Sequence, residues 1–425
     1  MQLPKEFEEY TRSLMGEELY SKLISGLAAT PPVSIRLNPF KVAKDAYLED
    51  EEQLNGLQLT PVPWAKDGYL LSERPSFTLD PLFHAGAYYV QEASSMLLDF
   101  IIRQLIKEPV TMLDLCAAPG GKTTCAMAAL PEGSILYSNE PIRTRANILA
   151  ENVMKFGHPD IIVTNNYAKD YAKAKKTFDV ILTDVPCSGE GMFRKDPNAI
   201  NEWSTSNVDS CWKIQRSIVE DIWQCLKPGG ILIYSTCTFN AHEDEENVQW
   251  IIDNLGADPI ALEGVKEEWN ITGALKGNLP VYRFIPGKTK GEGLFMAVMR
   301  KKGEPTQGST PTILKKERKI SMKEKGLKVM THGINPPTQK GKKTIPDISL
   351  ALSINQKEND YPHIDVDRQT AINYLRREAI TLPANTPRGI VTITYKGLGL
   401  GFANNIGNRA NNLYPQEWRI KTTHV

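Results

Sequence analysis

The sequence predicts an α/β fold in which a mostly parallel sheet carries helices on both faces. Three observations indicate this. Short apolar segments alternate with amphipathic helical stretches between about residues 108 and 300, and such alternation demands parallel strands joined by crossover helices. A glycine-containing turn follows the first apolar segment, at the edge of the sheet where such folds bind ligands. Cysteines and polar residues follow the ends of two later segments.

The composition narrows the class of protein. A chain of 425 residues is long enough for about three domains. Its 50 basic and 50 acidic residues balance, which argues against a simple polycation. It lacks the ~18 consecutive apolar residues of a membrane span, and its acidic start does not resemble a secretory signal. The six cysteines have no zinc spacing, so we expect reduced thiols, no metal, no membrane association and a cytoplasmic location.

Residues 1–107 are predicted to form a small α+β domain. Over residues 1–60 the chain carries 6 basic and 10 acidic residues, a net charge of −4. Apolar residues from Phe7 to Leu27 recur at helical spacing, and the segment from Val33 to Asn38 alternates as a strand does. This domain therefore precedes the core as an accessory unit.

Residues 108–300 are predicted to form the core domain. A long amphipathic helix is expected near 207–226, ended by Lys227-Pro-Gly-Gly230. The segments 282–285 and 294–299 flank a turn and predict an antiparallel hairpin that closes the edge of the sheet. The parallel strands are predicted at 111–116, 134–139, 161–164, 178–184 and 230–236.

The C-terminal part of the chain differs from the core domain in composition and charge. Residues 301–345 are predicted to be a basic linker, because 300–343 carry 13 basic and 3 acidic residues, a net charge of +10. The linker is either simply solvated or a tether that also contacts phosphates. Residues 346–425 regain strand and turn signals, including the alternating segment 389–395, and predict a small β-rich domain.

The loop Leu113-Asp-Leu-Cys-Ala-Ala-Pro-Gly-Gly-Lys-Thr123 is typical of a ligand-binding turn between strand and helix. Glu140 ends the second strand about 20 residues later, where a carboxylate can bind ribose hydroxyls. A P-loop requires glycine where this chain has Cys116, and a dinucleotide fingerprint requires three glycines that are absent. An S-adenosylmethionine site fits better, because it needs a close backbone turn and a ribose carboxylate without a triphosphate cradle.

Two cysteines follow the ends of neighbouring predicted strands, in Asp184-Val-Pro-Cys187 and in Thr236-Cys237. Parallel strands end at one edge of the sheet, so we expect both thiols beside the cofactor loop. Carbon 5 of cytosine is too weak a nucleophile to take a methyl group from a sulfonium. A thiolate that adds to carbon 6 activates it, and a second group can assist release afterwards. Asp184 is placed to bond the cytosine amino edge and ring nitrogen.

These motifs resemble those of the RNA 5-methylcytosine methyltransferases of the Sun/RsmB-like superfamily. Segments 115–122, 184–189 and 234–238 carry the resemblance, and segments 189–196 and 407–420 are similar to the RsmF branch, which modifies small-subunit ribosomal RNA. The resemblance implies a Rossmann-like S-adenosylmethionine-dependent methyltransferase core with an antiparallel edge strand. It also implies an RNA-contacting N-terminal domain and a PUA-like RNA-binding domain at the C-terminus.

The resemblance also implies residue roles. Cys237 would attack carbon 6, Cys187 would assist breakdown of the covalent intermediate, and Asp184 would lie between cofactor and base. Glu140 would bind the ribose, supported by Arg145. The usual acidic residue after strand three is missing, and Asn166 is its candidate substitute; Val185 replaces the usual alanine. The loop expected to hold the cofactor consists of Cys116, Ala117, Ala118, Pro119, Gly120, Gly121 and Lys122.

The expected function is methyl transfer from S-adenosylmethionine to carbon 5 of cytosine in 16S ribosomal RNA by a monomeric enzyme. The expected partner is ribosomal RNA or the small ribosomal subunit. Transfer RNA as the substrate, or an assembly factor with an inactive core, are the alternatives.

Three further surface and loop features accompany this expectation. Arg194 and Lys195 are candidates for contacting a phosphate near the target base. Segment 243–246 is predicted to begin a helix, favoured by the helix dipole. Most aromatic residues of the C-terminal domain are expected to be core residues, and the exposed ones are expected to stack on bases.

Overall fold

The computed structural model describes residues 2–49, 56–304, 326–341, 343–357, 360–407 and 409–422. Residues 305–325 of the predicted basic linker lie outside them. No helix among the described residues has the length and apolar character needed to cross a membrane.

The N-terminal part combines helices with a small antiparallel sheet in the order β2-β3-β1-β4. Helix α1 contains the predicted apolar positions but is interrupted at Gly16, whose φ of +73° lies outside the helical region. Helix α4 packs on the core domain. The elements are α1 (Lys5–Ala28), β1 (Val33–Leu37), α2 (Lys44–Glu49), β2 (Leu59–Pro61), β3 (Gly68–Leu71), α3 (Pro81–His84), β4 (Tyr88–Val90) and α4 (Leu97–Leu105).

The core domain follows the predicted alternation of strands and helices. Its elements are β5 (Thr111–Asp114), α5 (Gly121–Ala129), β6 (Ile135–Asn139), α6 (Arg143–Phe156), β7 (Ile161–Thr164), α7 (Ala168–Lys173), β8 (Phe178–Asp184), α8 (Pro197–Glu202), α9 (Thr205–Trp223), β9 (Leu226–Thr236), α10 (Glu245–Leu255), β10 (Ala257–Pro259), β11 (Val281–Phe284), β12 (Leu294–Lys301) and β13 (Val329–Thr331).

The central sheet has the order β10-β12-β9-β8-β5-β6-β7-β13, with β11 paired to β12. Strands β5 to β9 are parallel, and β12 is antiparallel to β9, as the hairpin prediction requires. At the other edge, β13 pairs antiparallel with β7. This short strand lies inside the segment predicted as a linker, so the chain returns to the core domain after residue 325.

Strand β9 begins at Leu226, four residues earlier than predicted. Phe178 pairs with Leu226 and Val180 pairs with Ile231, so the strand contains an irregular insertion between these two pairs. Gly229 lies in this insertion with a φ of +73°, a conformation that glycine adopts without a steric penalty. The predicted Lys-Pro-Gly-Gly helix stop is therefore part of the following strand.

Hydrophobic residues pack on both faces of the central sheet. Successive strand residues point to opposite faces, so Met112 packs with Ala126 and Leu149 on one side, whereas Leu113 packs with Ile222 and Val248 on the other. Covering both faces leaves only the ends of the strands accessible. The carboxyl ends of β5, β6, β8 and β9 are therefore where the loops can form a site.

The C-terminal part contains a four-stranded sheet in the order β16-β17-β18-β19 and a β14–β15 hairpin. Tyr374, Phe402 and Tyr414 are buried, whereas Tyr361, Tyr395 and Trp418 are half-buried. Three of these six aromatics are therefore fully packed in the core, where most were expected to be. The elements are β14 (Thr338–Lys340), β15 (Lys343–Ile345), α11 (Ile348–Leu352), β16 (His363–Asp365), α12 (Arg368–Leu375), β17 (Gly389–Tyr395), β18 (Leu398–Asn405) and β19 (Ala410–Asn412).

Candidate active site

The register of two parallel strands brings the predicted cysteines together. Asp184, at the end of β8, pairs with Ser235 near the end of β9. Cys187 and Cys237 follow these positions by three and two residues, and their Sγ atoms lie 3.0 Å apart. The backbone N–H of Cys237 also donates to the Sγ of Cys187 at 3.4 Å. The two thiols therefore share one rim of the sheet, as expected from the topology.

The two thiols differ in their surroundings. The hydrogen bond to Cys237 and burial both raise the pKa of the Cys187 thiol well above its ordinary value. A raised pKa keeps the proton on Cys187, so this thiol can donate its S–H to the sulfur of Cys237. Cys237 lines the large pocket described below, whereas Cys187 lies behind it.

Two buried carboxylates fix the loops that carry the thiols, and the sequence analysis missed both. Glu243 accepts hydrogen bonds from the backbone and hydroxyl of Ser188, at 3.0 and 2.5 Å, and from the side chains of Gln215 and Asn240. Glu190 accepts from the backbone N–H groups of Phe239 and Asn240 and from the side chain of Asn240. The side-chain amide of Asn240 thus donates to both carboxylates and joins the two loops.

Segment 243–246 therefore does more than begin a helix. Helix α10 starts at Glu245, and its first turn is acidic, as the dipole argument expects. Glu243 precedes the helix and bonds the other cysteine loop, while Asp244 and Glu245 pair with the fully buried Arg283. Burial raises the pKa of Glu243, and it raises the pKa of Glu190 to about 7. A run of acidic letters could not reveal these partners, because they come from distant segments.

Gly191 allows close contact between the two cysteine loops. Its backbone N–H donates to the carbonyl oxygen of Cys237 at 2.8 Å. A Cβ atom at this position would lie 3.0 Å from that oxygen and 2.5 Å from the carbonyl oxygen of Gly293. Only glycine fits between these backbone segments without displacing one of them.

The predicted cofactor loop turns tightly between β5 and α5. Gly120 has a φ of +115°, a conformation that favours glycine, and it precedes the first residue of α5. Ala117 donates its N–H to the carbonyl oxygen of Asn139 at 2.8 Å, which holds the loop against the end of β6. Burial raises the pKa of the Cys116 thiol, so this cysteine stays protonated. Residues of the loop line the same pocket as Cys237.

Glu140 and Arg145 lie together beside the loop. Glu140 is almost fully buried and accepts a hydrogen bond from the N–H of Ile142 at 2.9 Å. Arg145 lies 3.4 Å from the Glu140 carboxylate and donates to the carbonyl oxygen of Ala118 at 3.1 Å. The arginine therefore connects the ribose candidate to the loop.

Asn166 occupies a different environment from the one expected of an adenine ligand. Its side-chain oxygen accepts from the N–H of Lys328 at 3.0 Å, and its side-chain nitrogen donates to the Lys328 carbonyl at 3.3 Å. These bonds hold the returning chain next to β13. In this arrangement the Asn166 side chain binds backbone, and its contribution to a cofactor stays a prediction.

Asp184 and Lys122 form an ion pair in the site. The Lys122 Nζ lies 2.8 Å from the Asp184 Oδ2. Burial lowers the pKa of Lys122, but the Asp184 carboxylate outweighs it and the net shift is upward. Asp114, which the sequence analysis did not select, is fully buried behind them, and burial raises its pKa to about 7. One of its oxygens accepts from Thr123, and the other has no hydrogen-bond partner among the described residues.

The pocket at this rim, called the central pocket below, has a volume of about 370 Å³. Such a volume is within the usual range for small-molecule sites. The cofactor loop, Asp184 and Cys237 form one side, and residues after β4 form the other. No cluster of three metal-binding side chains occurs in the described part of the chain. The lining residues are Tyr89, Val90, Gln91, Glu92, Ser95, Cys116, Ala117, Ala118, Pro119, Gly121, Lys122, Asp184, Gly191, Met192, Lys195, Cys237, Glu292, Gly293 and Leu294.

Arg194 is not placed as predicted. Its guanidinium is buried, lies 2.5 Å from the Glu292 carboxylate, and donates to the carbonyl oxygens of Gly26 and Gly291. These contacts hold all three guanidinium nitrogens, so Arg194 stabilises the junction between α1 and the core domain instead of projecting freely toward a phosphate. Lys195 is exposed, and its Nζ lies 3.1 Å from the Glu292 carboxylate, which Arg194 also contacts.

Comparison with known families gives matches along most of the chain. A model of the 16S rRNA methyltransferase RsmB/F matches residues 104–300. A model of the N-terminal domain of 16S rRNA methyltransferase RsmF matches residues 3–93, and one of the RsmF PUA domain matches residues 361–420.

Curated relatives agree with these matches. Ribosomal RNA small subunit methyltransferase F of Shewanella loihica is 31% identical over 90% of this chain and 88% of its own length. The chain belongs to the RsmF family. The protein of the same name from Pectobacterium atrosepticum is 35% identical over 71% of this chain, but that alignment spans only 63% of the relative. The RsmF family consists of S-adenosylmethionine-dependent rRNA methyltransferases, as the resemblance implied.

Solved structures support the fold. A methyltransferase homolog protein from Pyrococcus horikoshii is 27% identical, with a TM-score of 0.60, over 70% of this chain and 95% of that one. NSun6 from the same organism, solved with SFG, has a TM-score of 0.62 at 20% identity over 71% of this chain. The Rossmann-like methyltransferase core, the N-terminal domain and the PUA-like C-terminal domain are thereby confirmed.

Proposed function

We propose that this RsmF-family protein transfers a methyl group from S-adenosylmethionine to carbon 5 of cytosine in 16S ribosomal RNA through a covalent cysteine adduct. The observation that carries the proposal is the pair of thiols 3.0 Å apart at the wall of the central pocket, beside the cofactor loop. Two adjacent thiols, of which Cys237 lines the pocket and Cys187 does not, suit a reaction that needs a nucleophile first and an assisting group later.

Cys237 is the proposed nucleophile, because its side chain faces the pocket. Its sulfur loses its proton to solvent and forms a bond to carbon 6, and the electron pair of the 5,6 double bond shifts onto carbon 5, delocalised through carbon 4 to N3, so carbon 5 becomes nucleophilic. S-adenosylmethionine, when bound, would supply the methyl group that carbon 5 takes up and would leave as the neutral thioether S-adenosylhomocysteine. The S–H of Cys187 stabilises negative charge on the Cys237 sulfur before attack.

Asp184 and Lys122 are proposed to hold the base and adjust its charge. A carboxylate accepts from the exocyclic amino group of cytosine, which uracil lacks. The Lys122 ammonium lies 2.8 Å from the Asp184 carboxylate, so it orients this side chain and balances its negative charge. Both side chains line the central pocket, so they can contact the same base as Cys237.

Cys187 is proposed to assist the last step. The proton on carbon 5 must leave, the 5,6 double bond must reform, and the bond from carbon 6 to Cys237 must break. As the bond from carbon 6 breaks, Cys187 gives its S–H proton to the departing Cys237 sulfur, 3.0 Å away, and takes the proton from carbon 5 in its place, so that both cysteines end as thiols. The step returns both cysteines to their starting forms.

The proposed cofactor site combines the loop 116–122 with Glu140 and Arg145. Two features support the fit: the tight turn at Gly120 and the buried Glu140 carboxylate, one oxygen of which also contacts Arg145. Glu140 would bind the ribose hydroxyls, and the free N–H groups at the start of α5 would face the polar end of the methionine moiety. For Asn166 to bind the adenine, the Lys328 backbone would have to release one of its two hydrogen bonds with the Asn166 side chain.

The proposed domain organisation follows the predicted boundaries, with an RNA-contacting unit at 1–107, the catalytic unit at 108–300, a basic linker at 301–345 and the PUA-like unit at 346–425. Within the linker, β13 returns to pair with β7 of the catalytic unit. We further propose that the protein acts as a monomer in the cytoplasm, on ribosomal RNA or the small ribosomal subunit. The +10 charge of residues 300–343 supports electrostatic attraction to RNA.

The test is methyl transfer from labelled S-adenosylmethionine to three substrates: 16S rRNA, assembled small subunits and transfer RNA. Nucleoside analysis should find labelled 5-methylcytidine in one of the first two, and Cys237→Ala should give none. Bisulfite mapping of ribosomal RNA from cells with and without the gene then locates the cytosine. Label in transfer RNA alone, or in another nucleoside, would contradict the proposal.

A further inference from the structure

A second groove opens directly from the central pocket. This side groove has a volume of about 630 Å³ and is lined by residues 30–34 after α1, by Arg74 and by Arg194. It shares Val90, Gln91, Glu92 and Lys195 with the central pocket, so the two spaces meet at one lip. The groove thus runs from the proposed position of the target base along the junction between the N-terminal part and the core domain.

Two exposed, positively charged side chains, Arg74 and Lys195, line the groove. Arg74 is exposed, its guanidinium carbon lies 5.5 Å from the centre of the Phe77 ring, and among the described residues no carboxylate pairs with it. Lys195 is exposed at the lip. Glu92 also lines the groove, but its oxygens accept hydrogen bonds from the backbone N–H groups of Ser94, Ser95 and Glu292, which offset part of its negative charge.

The occupant must be continuous with whatever fills the central pocket. A base enters such a pocket only after leaving its stack, and its backbone continues on both sides of the flipped nucleotide. A groove that begins at the pocket lip and carries an unpaired arginine suits a single strand with phosphates along one side. Pro31 and Pro32 line the same groove, so its wall also offers apolar surface to a base.

Resting on the proposed function, we propose that the side groove binds the single-stranded RNA segment on one side of the target cytidine, with Arg74 and Lys195 contacting its phosphates. The groove is then a strand-specific extension of the active site. It selects for cytidines whose flanking nucleotides, on that one side, are unpaired.

The experiment uses the full-length protein and oligoribonucleotides with a single cytidine. One has unpaired nucleotides on the 5′ side only, one on the 3′ side only, and one on both sides. Binding by fluorescence anisotropy and methyl transfer are measured for the unsubstituted protein, Arg74→Glu, Arg74→Lys and the control Lys173→Glu. Lys173 is an exposed residue at the end of α7 in the core domain, where it pairs with Asp170 at the surface.

We expect unpaired nucleotides on one side to strengthen binding. Arg74→Glu should then lower the affinity about tenfold for the oligonucleotide extended on that side and leave the affinity for the other unchanged. The slope of log affinity against log salt should fall by about 0.7 for a lost single-strand phosphate contact. Arg74→Lys should retain most of the affinity, and Lys173→Glu should change nothing. Equal effects of Arg74→Glu on both extensions, or no effect on either, would overturn the proposal.

The two readouts separate this inference from the function itself. If the Arg74-dependent binding appears but no variant transfers a methyl group to cytidine, the groove proposal stands and the proposed reaction fails. If methyl transfer occurs at equal rates with and without Arg74, and binding is also unchanged, the reaction stands and the groove proposal fails. A melting temperature for each variant shows whether the surface substitutions leave the fold intact.

Discussion

Replacing Glu243 with glutamine tests whether the buried carboxylates position the reactive thiols. Its oxygens accept four hydrogen bonds, from the backbone and hydroxyl of Ser188, from Gln215 and from Asn240. In Glu243→Gln the amide nitrogen fits best near Asn240, whose side chain keeps Glu190 as an acceptor, while the Ser188 hydroxyl can turn to accept. One hydrogen bond is lost and the others become neutral, a cost of about 1.5–3 kcal/mol.

This loss should appear in the chemical step. Glu243 does not line the central pocket, so we expect the KM for RNA to be unchanged. The Ser188 hydrogen bonds that tie the Cys187 loop to Glu243 become neutral and weaker, and misplacement of reacting groups by about 1 Å can cost about 100-fold. We therefore expect kcat for methyl transfer to fall about 10- to 100-fold.

The assay is methyl transfer from labelled S-adenosylmethionine under saturating RNA, with the melting temperature recorded for each variant. Glu246→Gln is the matched control, because Glu246 lies on the same acidic run but pairs with His242 and Lys276 near the surface. Such pairs contribute at most about 1 kcal/mol. An unchanged kcat in Glu243→Gln, or an equal fall in both variants, would refute the positioning argument.

Three further outcomes are expected. Cys187→Ala should still attack RNA but release it slowly, so a protein–RNA adduct accumulates on denaturing gels; normal turnover without adduct would argue against its role. Gly191→Ala should destabilise the fold by about 1–3 kcal/mol and lower both the melting temperature and kcat, because the new Cβ would clash with two carbonyl oxygens. Gly273→Ala is the control, because a Cβ there meets open space. Equal behaviour of the two variants would contradict the packing argument. Arg388 is exposed in the PUA-like domain, so Arg388→Glu should weaken RNA binding and reduce the slope of log affinity against log salt by about 0.7–1. A slope equal to that of the unsubstituted protein would exclude this contact.

The placement of the thiols was accessible from sequence because it depends on two simple rules. Parallel strands end at one edge, and strands four and five of such a sheet are neighbours. The apolar segments that became β8 and β9 were unambiguous, so the residues after them could be placed together. The same reasoning placed the loop 116–122 beside Glu140, since β5 and β6 are also neighbours.

Other features depend on tertiary contacts that no local pattern records. Glu243 and Glu190 look like ordinary charged residues until distant loops bring buried donors to them. Arg194 looks like an RNA ligand, but Glu292 and two carbonyl groups take up its guanidinium. Strand β13 has three residues in a lysine-rich segment, too short and too polar to show strand periodicity.

The central claim is that the sulfur of Cys237 bonds to carbon 6 of a cytosine. The direct measurement is mass spectrometry of the protein after incubation with S-adenosylmethionine and RNA containing 5-fluorocytidine, whose carbon 5 has no proton to release. The account predicts one RNA-linked peptide, with the nucleotide on Cys237, and none in Cys237→Ala. A nucleotide on Cys187 or Cys116, or capture that persists in Cys237→Ala, would contradict it.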